Sequence, residues 1–195
     1  MTRAPDPRPA RTRASILAAV EALTQREAEV TIANIVAEAG VARATFYTHF
    51  RDLDDVVMAV LTRAFEAIET LDLELRKTLS PLETARTTTR MLVAEFVTRR
   101  ELYASLLRGT SRGQVLTAMH RAFASQALET MQATVPESLD PQTAADYVAG
   151  GSIAVLSAWL SSERPITPDH LQVQLLALLP AWLLTDEGHY ERNAQ

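Results

Sequence analysis

The chain contains no cysteine. That excludes disulfides, thiolate nucleophiles and every cysteine-based zinc site, and it fits a reducing compartment. Lysine is almost as scarce: Lys77 is the one lysine among 19 basic residues, the others being arginine. The histidines, His49, His120, His170 and His189, are too scattered to pair at helical spacing, so neither a metal nor a cofactor is expected. Ser152 follows Gly150 and Gly151 without the Gly-x-Ser-x-Gly frame of a nucleophile elbow, and no other catalytic constellation is visible; an enzyme is not expected. The longest strictly apolar run, Leu175 to Leu184, is ten residues. A membrane span needs about 20, so this run predicts a buried helix and no membrane partner. The opening MTRAPDPRPARTR has no apolar segment, so no secretory signal is expected and the chain should be cytoplasmic. Alternating strand-like patterns are also missing, which points to an all-α fold.

With 47% hydrophobic and 22% charged residues, the 195-residue chain has the composition of a folded protein. That length suits one ordinary domain, or a small one joined to a larger one. A net charge of −5 argues against a surface coated in nucleic acid, yet the charge is unevenly placed. Within the first thirteen residues Arg3, Arg8, Arg11 and Arg13 face only Asp6, a local balance of +3. Such a local positive end suits a small module that touches phosphates while the remainder does not. The arm arginines fit minor-groove or phosphate contacts, and equally an ordinary tail.

Apolar residues recur near every 3.6 positions throughout, and the punctuation is that of helices. After an arm over residues 1–10, a first helix is predicted from about Arg11 to Gln25, with Ile16, Leu17, Val20 and Leu23 inward. Thr31 reads as the N-cap of a short helix ending before Gly40, and a third covers roughly Ala42 to His49. Asp52 caps a long fourth helix whose inward stripe runs from Val56 through Phe65 and Ile68 to Leu71. Ser80-Pro81-Leu82-Glu83 is a capping box with proline at the first helical position. Further helices carry Leu102 to Leu107 (stopping around Gly109), Val115 to Met131, Asp140 to about Leu160, and the segment after Thr167-Pro168. The expectation is an N-terminal three-helix domain over 11–51 and a six-helix domain over 52–195.

The informative segment is TIANIVAEAGVARATFYTHF, Thr31 to Phe50. Two short helices joined by a tight turn at Gly40 describe a helix-turn-helix. Ile32, Ile35, Val41, Phe46 and Phe50 supply the apolar contacts, while Arg43, Ala44, Tyr47 and Thr48 occupy the opposite face. A helix this short, held by aromatic anchors, has the form of one that enters a major groove.

Gly40-Val41 followed by Thr45-Phe46-Tyr47 and His49-Phe50, preceded by Thr31-Ile32-Ala33-Asn34-Ile35-Val36, resembles the signature of the TetR family of transcriptional regulators. The chain length and helix count also match that family. The resemblance implies that Thr45 and Tyr47 bind phosphates through their hydroxyls, and that Thr31 offers its hydroxyl and nearby amides to another phosphate. It makes Arg43 the base reader, through guanine O6 and N7, with Ala44 and Thr48 against base edges. His49 has either a packing or a phosphate role. The family commonly places a lysine three residues after the final phenylalanine; here that position is Leu53, and Arg51 is a candidate substitute. The loop before Thr31 is also shorter than usual.

For the C-terminal domain the resemblance implies a cavity for a small, largely apolar effector and a homodimer. Candidate cavity residues are Phe65, Met91, Phe96, Tyr103, Met119, His120, Phe123 and Tyr147, although the same residues at helical spacing also suit a plain core. Gly150 and Gly151 permit close helix approach or leave room for a ligand. Leucines and Trp182 cover nearly the whole circumference of the last helix, so it should be buried on all sides, with Pro180 kinking or ending it. A four-helix dimer bundle using Val155, Trp159, Leu175, Leu176, Leu179 and Trp182 would meet that need. The function implied is a dimeric repressor of a palindromic operator in double-stranded DNA, released by the effector. The alternatives are a regulator or activator without a small ligand, and a ligand carrier with a vestigial DNA head.

Overall fold

A computed structural model describes residues 8–108, 112–131 and 135–185. Most of the basic arm, the stop at Gly109 and His189 lie outside these residues. Every regular element among them is helical, and the chain divides into two compact units, Met1–Leu61 and Thr62–Gln195.

The first unit holds α1 (Arg8–Gln25), α2 (Ile32–Ala39) and α3 (Arg43–His49). Helix α1 starts three residues earlier than the pattern suggests, because Pro9 sits in the first turn, where its missing N–H has no partner to lose. Its inward stripe is Ile16, Leu17, Ala19, Val20 and Leu23. Helices α2 and α3 pack against it, and Ile35, Phe46 and Phe50 close the core. Complete burial of Phe46 contributes about 2–3 kcal/mol, and truncating it to alanine would cost roughly 3–5 kcal/mol.

Helix α4 (Leu53–Leu75) is entered through Asp52, whose Oδ1 accepts from the Asp55 N–H at 2.8 Å. The division between units falls inside it, so its first turns, through Leu61, belong with the head. Its buried stripe continues from Phe65 and Ile68 to Asp72, not Leu71, which is only half-buried.

The second unit comprises the rest of α4, α5 (Pro81–Thr98), α6 (Arg100–Arg108), α7 (Arg112–Met131), α8 (Pro141–Ser161) and α9 (Pro168–Ala177). Each of three helix starts is fixed by a side-chain cap. Ser80 and Glu83 form a reciprocal capping box on α5, Asp140 accepts from the Thr143 N–H at 2.8 Å, and Thr167 accepts from His170 at 3.3 Å. Helices α7 and α8 pack along their length, α5 lies against α9, and α6 meets both α7 and α8. An aromatic column forms the centre: Phe65 meets Phe123 edge-on at 4.8 Å and Phe96 at 6.4 Å, and Phe96 meets Tyr103 at 5.2 Å. Each such pair adds about 0.5–1.5 kcal/mol beyond its burial.

The last helix stops at Ala177, and a single 3-10 turn, Ala181–Leu183, follows Pro180. The expectation that this segment is enclosed on all sides is not met within one chain. Leu171, Leu175 and Leu183 face the core, but Val173 and Leu178 are 64% and 66% exposed. Among the described residues nothing covers that apolar side.

Candidate functional sites: a DNA-reading head and a ligand cavity

The geometry of the head follows from three local devices. Thr31 caps α2 by accepting from the Asn34 N–H at 3.2 Å, and the Asn34 amide donates to the Glu29 carbonyl at 2.8 Å. Gly40 ends α2 in the left-handed region at φ +65°, where a side chain is strained and glycine is not. Its N–H and that of Val41 close the turn on Ala37 and Val36. Phe46 and Phe50 then anchor α3 from below, with the guanidinium of Arg13 over the Phe50 ring at 4.8 Å.

That anchoring leaves the other face of α3 open. Arg43, Ala44, Tyr47 and Thr48 are exposed, and Thr31, Thr45 and His49 are half-buried. The Arg43 guanidinium reaches the Tyr47 hydroxyl at 3.3 Å and lies 5.8 Å from the ring. Thr48 donates its hydroxyl to the Thr45 carbonyl at 2.6 Å, which fixes its rotamer. The face therefore presents one cation and several hydroxyls, donors suited to phosphate and base-edge acceptors. Arg51 is not idle: it pairs with Asp55 at 3.3 Å, and its backbone N–H donates to the same carboxylate at 3.1 Å. Burial alone would raise the Asp55 carboxyl, but these hydrogen bonds outweigh it and hold it below its usual range.

In the second unit a cavity of about 100 Å³ lies among α4, α5, α7, α8 and α9. Its walls are mainly apolar, with Ile68, Leu92, Phe123, Met131 and Leu175 among them. The polar lining comes from Asp72 on α4 and Arg76 in the turn after it, Thr88 and Thr89 on α5, Gln126 and Thr130 on α7, and Ser152 on α8. Asp72 is 4% exposed, and its Oδ2 accepts from Arg76 at 2.6 Å and from Thr130 at 3.2 Å. Metal ligation is not in evidence: no cluster of three His, Asp or Glu side chains occurs among the described residues. Nor is any helix among them long and apolar enough to cross a membrane.

Residues 16–60 match the family model "Bacterial regulatory proteins, tetR family", a span that holds all three head helices except the start of α1. The head is of the TetR type. Solved structures with the same fold include the TetR-family repressor FadR of Thermus thermophilus in complex with lauroyl-CoA, at 16% identity and a TM-score of 0.64, covering 86% of this chain and 92% of that one. A TetR regulator from Rhodococcus sp. RHA1 gives 20% identity and a TM-score of 0.62 over 91% and 98% of the two chains. RolR in complex with resorcinol gives 24% and 0.54 over 88% and 89%. At these identities the likeness is one of fold alone. No curated protein sequence matches the chain.

Within the second unit the candidates expected from the sequence separate. Of the residues proposed for the effector site, Phe123 alone lines the cavity described above. Phe65, Phe96, Tyr103 and Met119 are buried in the core. The Tyr103 hydroxyl donates to Glu95, which also pairs with Arg99; burial, and then the charge of Glu95, pushes that phenol well above its ordinary range. Met91 and Tyr147 are exposed, at 38% and 75%. His120 stands 3.8 Å from Asp146, beside Gly150, in a separate pocket of about 500 Å³ between α7 and α8.

The proposed interface residues separate in the same way. Trp159 is engaged inside the chain: its indole N–H donates to the Ile166 carbonyl at 2.8 Å, and the Arg100 guanidinium lies over its ring at 5.4 Å. Leu175 is buried against the cavity, while Leu179 and Trp182 pack on the cluster of Met131, Ala144, Ala145 and Leu183. Val155 and Leu176 are half-buried. Val155 lines a groove of about 390 Å³ with Tyr147, Gly150, Gly151 and Leu178, which adjoins the first cavity through Val148, Ser152, Leu175 and Leu179. The exposed Val173 and Leu178 count in the sequence as part of an all-round apolar helix but not among the expected interface residues, because periodicity does not say which side lacks a cover.

Proposed function

We propose that this TetR-family regulator is a repressor: a homodimer that binds a palindromic operator and is released when a small molecule fills the cavity of the second unit. The observation that carries the DNA-binding part is the α3 face, where Arg43, Tyr47 and Thr48 are all exposed above a fully buried Phe46. In this reading Tyr47 and Thr45 hold phosphates, Thr31 and the free amides of α2 hold another, and Arg43 reads a guanine with Ala44 and Thr48 beside it. His49, half-buried, takes the packing role. The exposed Tyr147, Val173 and Leu178 support dimerisation through α8 and α9, and two-fold symmetry then implies two half-sites about one helical turn apart.

Release is a shift of population. The effector favours a conformer whose two heads no longer match the half-site spacing, and the response is bounded by its differential affinity for the two conformers. Helix α4 is the segment common to both units and the natural carrier of the coupling. Ligands named for structural relatives, lauroyl-CoA for FadR and resorcinol for RolR, differ too much to assign one by likeness.

The test is binding of the purified protein to the DNA upstream of its own gene across a salt series, with Arg43→Ala and Tyr47→Phe beside it. Affinity should fall with salt at a log–log slope of about −0.9 per neutralised phosphate. Tyr47→Phe should weaken every sequence alike, and Arg43→Ala should relax one position per half-site by roughly 1–3 kcal/mol. Failure to select any DNA sequence from a genomic pool would overturn the reading in favour of a ligand carrier.

A further inference from the structure

The cavity has a chemical bias that narrows its ligand, an inference that rests on the effector reading above. Its one carboxylate, Asp72, is nine-tenths buried and uses only Oδ2: Arg76 and Thr130 both donate there, and Oδ1 has no partner among the described residues. Among the described residues the one cation lining the space, Arg76, is committed to that carboxylate at 2.6 Å. Three more lining side chains, Thr89, Gln126 and Ser152, likewise have no hydrogen-bond partner among the described residues, and all three are neutral. These unpaired polar groups face the space and favour a guest that can satisfy them. An anionic guest would meet an unpaired carboxylate oxygen with no free cation to offset it. The volume sets the size. About 100 Å³ is of the order of the roughly 150 Å³ of an engineered apolar cavity that holds benzene, so a guest of about one ring fills it with small adjustments of the walls.

We propose that the effector is a small, uncharged, mainly apolar molecule of single-ring size bearing a hydroxyl or comparable donor, which bonds Asp72 Oδ1, with Thr89, Gln126 or Ser152 meeting a second polar group if it has one. Carboxylates and phosphate-bearing acyl conjugates are excluded from the site by the same groups.

The test is titration calorimetry of the full-length protein with phenol, toluene and benzoate, which share a ring and differ in donor and charge. Phenol should bind at a Kd of about 1 mM or tighter, as befits so few atoms, and at least about threefold to tenfold more tightly than toluene. Benzoate should bind more weakly than phenol by a larger factor. Ala127→Leu, which fills the space, should abolish phenol binding, and Thr89→Val, which keeps the shape of the side chain, reports on the hydroxyl alone. Equal binding of toluene, tighter binding of benzoate, absent phenol binding, or phenol binding that survives Ala127→Leu each overturns the proposal. The DNA assay keeps the two readings apart. Operator binding without phenol binding sinks the ligand class alone, whereas phenol binding that leaves operator affinity unchanged sinks the effector mechanism and leaves the ligand class standing.

Discussion

Single residues set the shape of the reading head, and two of them can be tested directly. Gly40 holds a positive φ with open space around its Cα, so an added methyl would meet no neighbour and the whole penalty would come from the backbone. Gly40→Ala should therefore cost about 1–2 kcal/mol in urea unfolding, with weakened DNA binding following from a looser turn. A loss several times larger would mean that the turn packs against something the isolated geometry does not reveal. Asp55 offers the second test. Its lowered carboxyl contributes stability that is present above the ordinary carboxylate range and is lost as pH falls through its own, depressed value. Asp55→Asn should remove that contribution, so the stability gap between the two proteins should be present at pH 7 and close in acid below about pH 4. The same change releases Arg51, 80% exposed, from its ion pair. If Arg51 substitutes for the family's lysine, the freed guanidinium should steepen the salt dependence of DNA binding by up to about one phosphate. An unchanged slope would show that Arg51 serves Asp55 and not DNA.

At the scale of elements, charge placement inside the second unit is uneven, and one pair works against the fold. Glu69 of α4 lies by Glu129 of α7; burial first, and then the neighbouring carboxylate, raise its carboxyl above the usual value. A raised acid favours the fold below its unfolded value and opposes it as pH rises through the folded one. Glu69→Gln should thus raise Tm at pH 7 by roughly 1–2 °C and change nothing near pH 3. A fall in Tm at neutral pH would show that the pair is compensated. Such pairings are invisible in the sequence, since Glu69 and Glu129 are 60 positions apart. What could be read from the chain was whatever is local: the caps at Thr31, Ser80, Asp140 and Thr167, the stop at Gly40 and the break at Pro180 each depend on neighbours within a turn. The exposed face of α3 was legible for the same reason, being the complement of Phe46 and Phe50 on one short helix. The cavity was not. Aromatics were expected to line it, but Phe65, Phe96 and Tyr103 prefer one another, and the space is bounded instead by threonines and a buried aspartate from separate helices. One signal was available: Asp72 stands seven residues after Phe65 and four after Ile68, a charge on an otherwise apolar stripe, where a carboxylate is kept only if something holds it.

For the molecule as a whole, the question is what covers the open side of α8 and α9. Tyr147, Val173 and Leu178, at 75%, 64% and 66% exposed, leave more apolar surface in water than isolated leucines on a monomer require. A net charge of −5 gives only modest repulsion between copies, and Tyr147 and Leu178 line the same groove as Gly150 and Gly151, where the lack of side chains permits close approach. In the proposed dimer, a second copy in two-fold register would cover this face with its own like face and would also supply the second head that a palindrome needs. Leu178→Glu buries an unpaired charge in such an interface, so sedimentation should show a monomer where the parent protein is a dimer. Operator affinity should then fall by the loss of the linked second half-site, on the order of 100-fold. Because a subunit stripped of its partner can unfold, circular dichroism must show the helices intact, and Val173→Lys provides an independent lesion of the same face. A variant that remains dimeric through both substitutions would place the interface elsewhere on the chain, and the operator symmetry inferred from α8 and α9 would have to be abandoned with it.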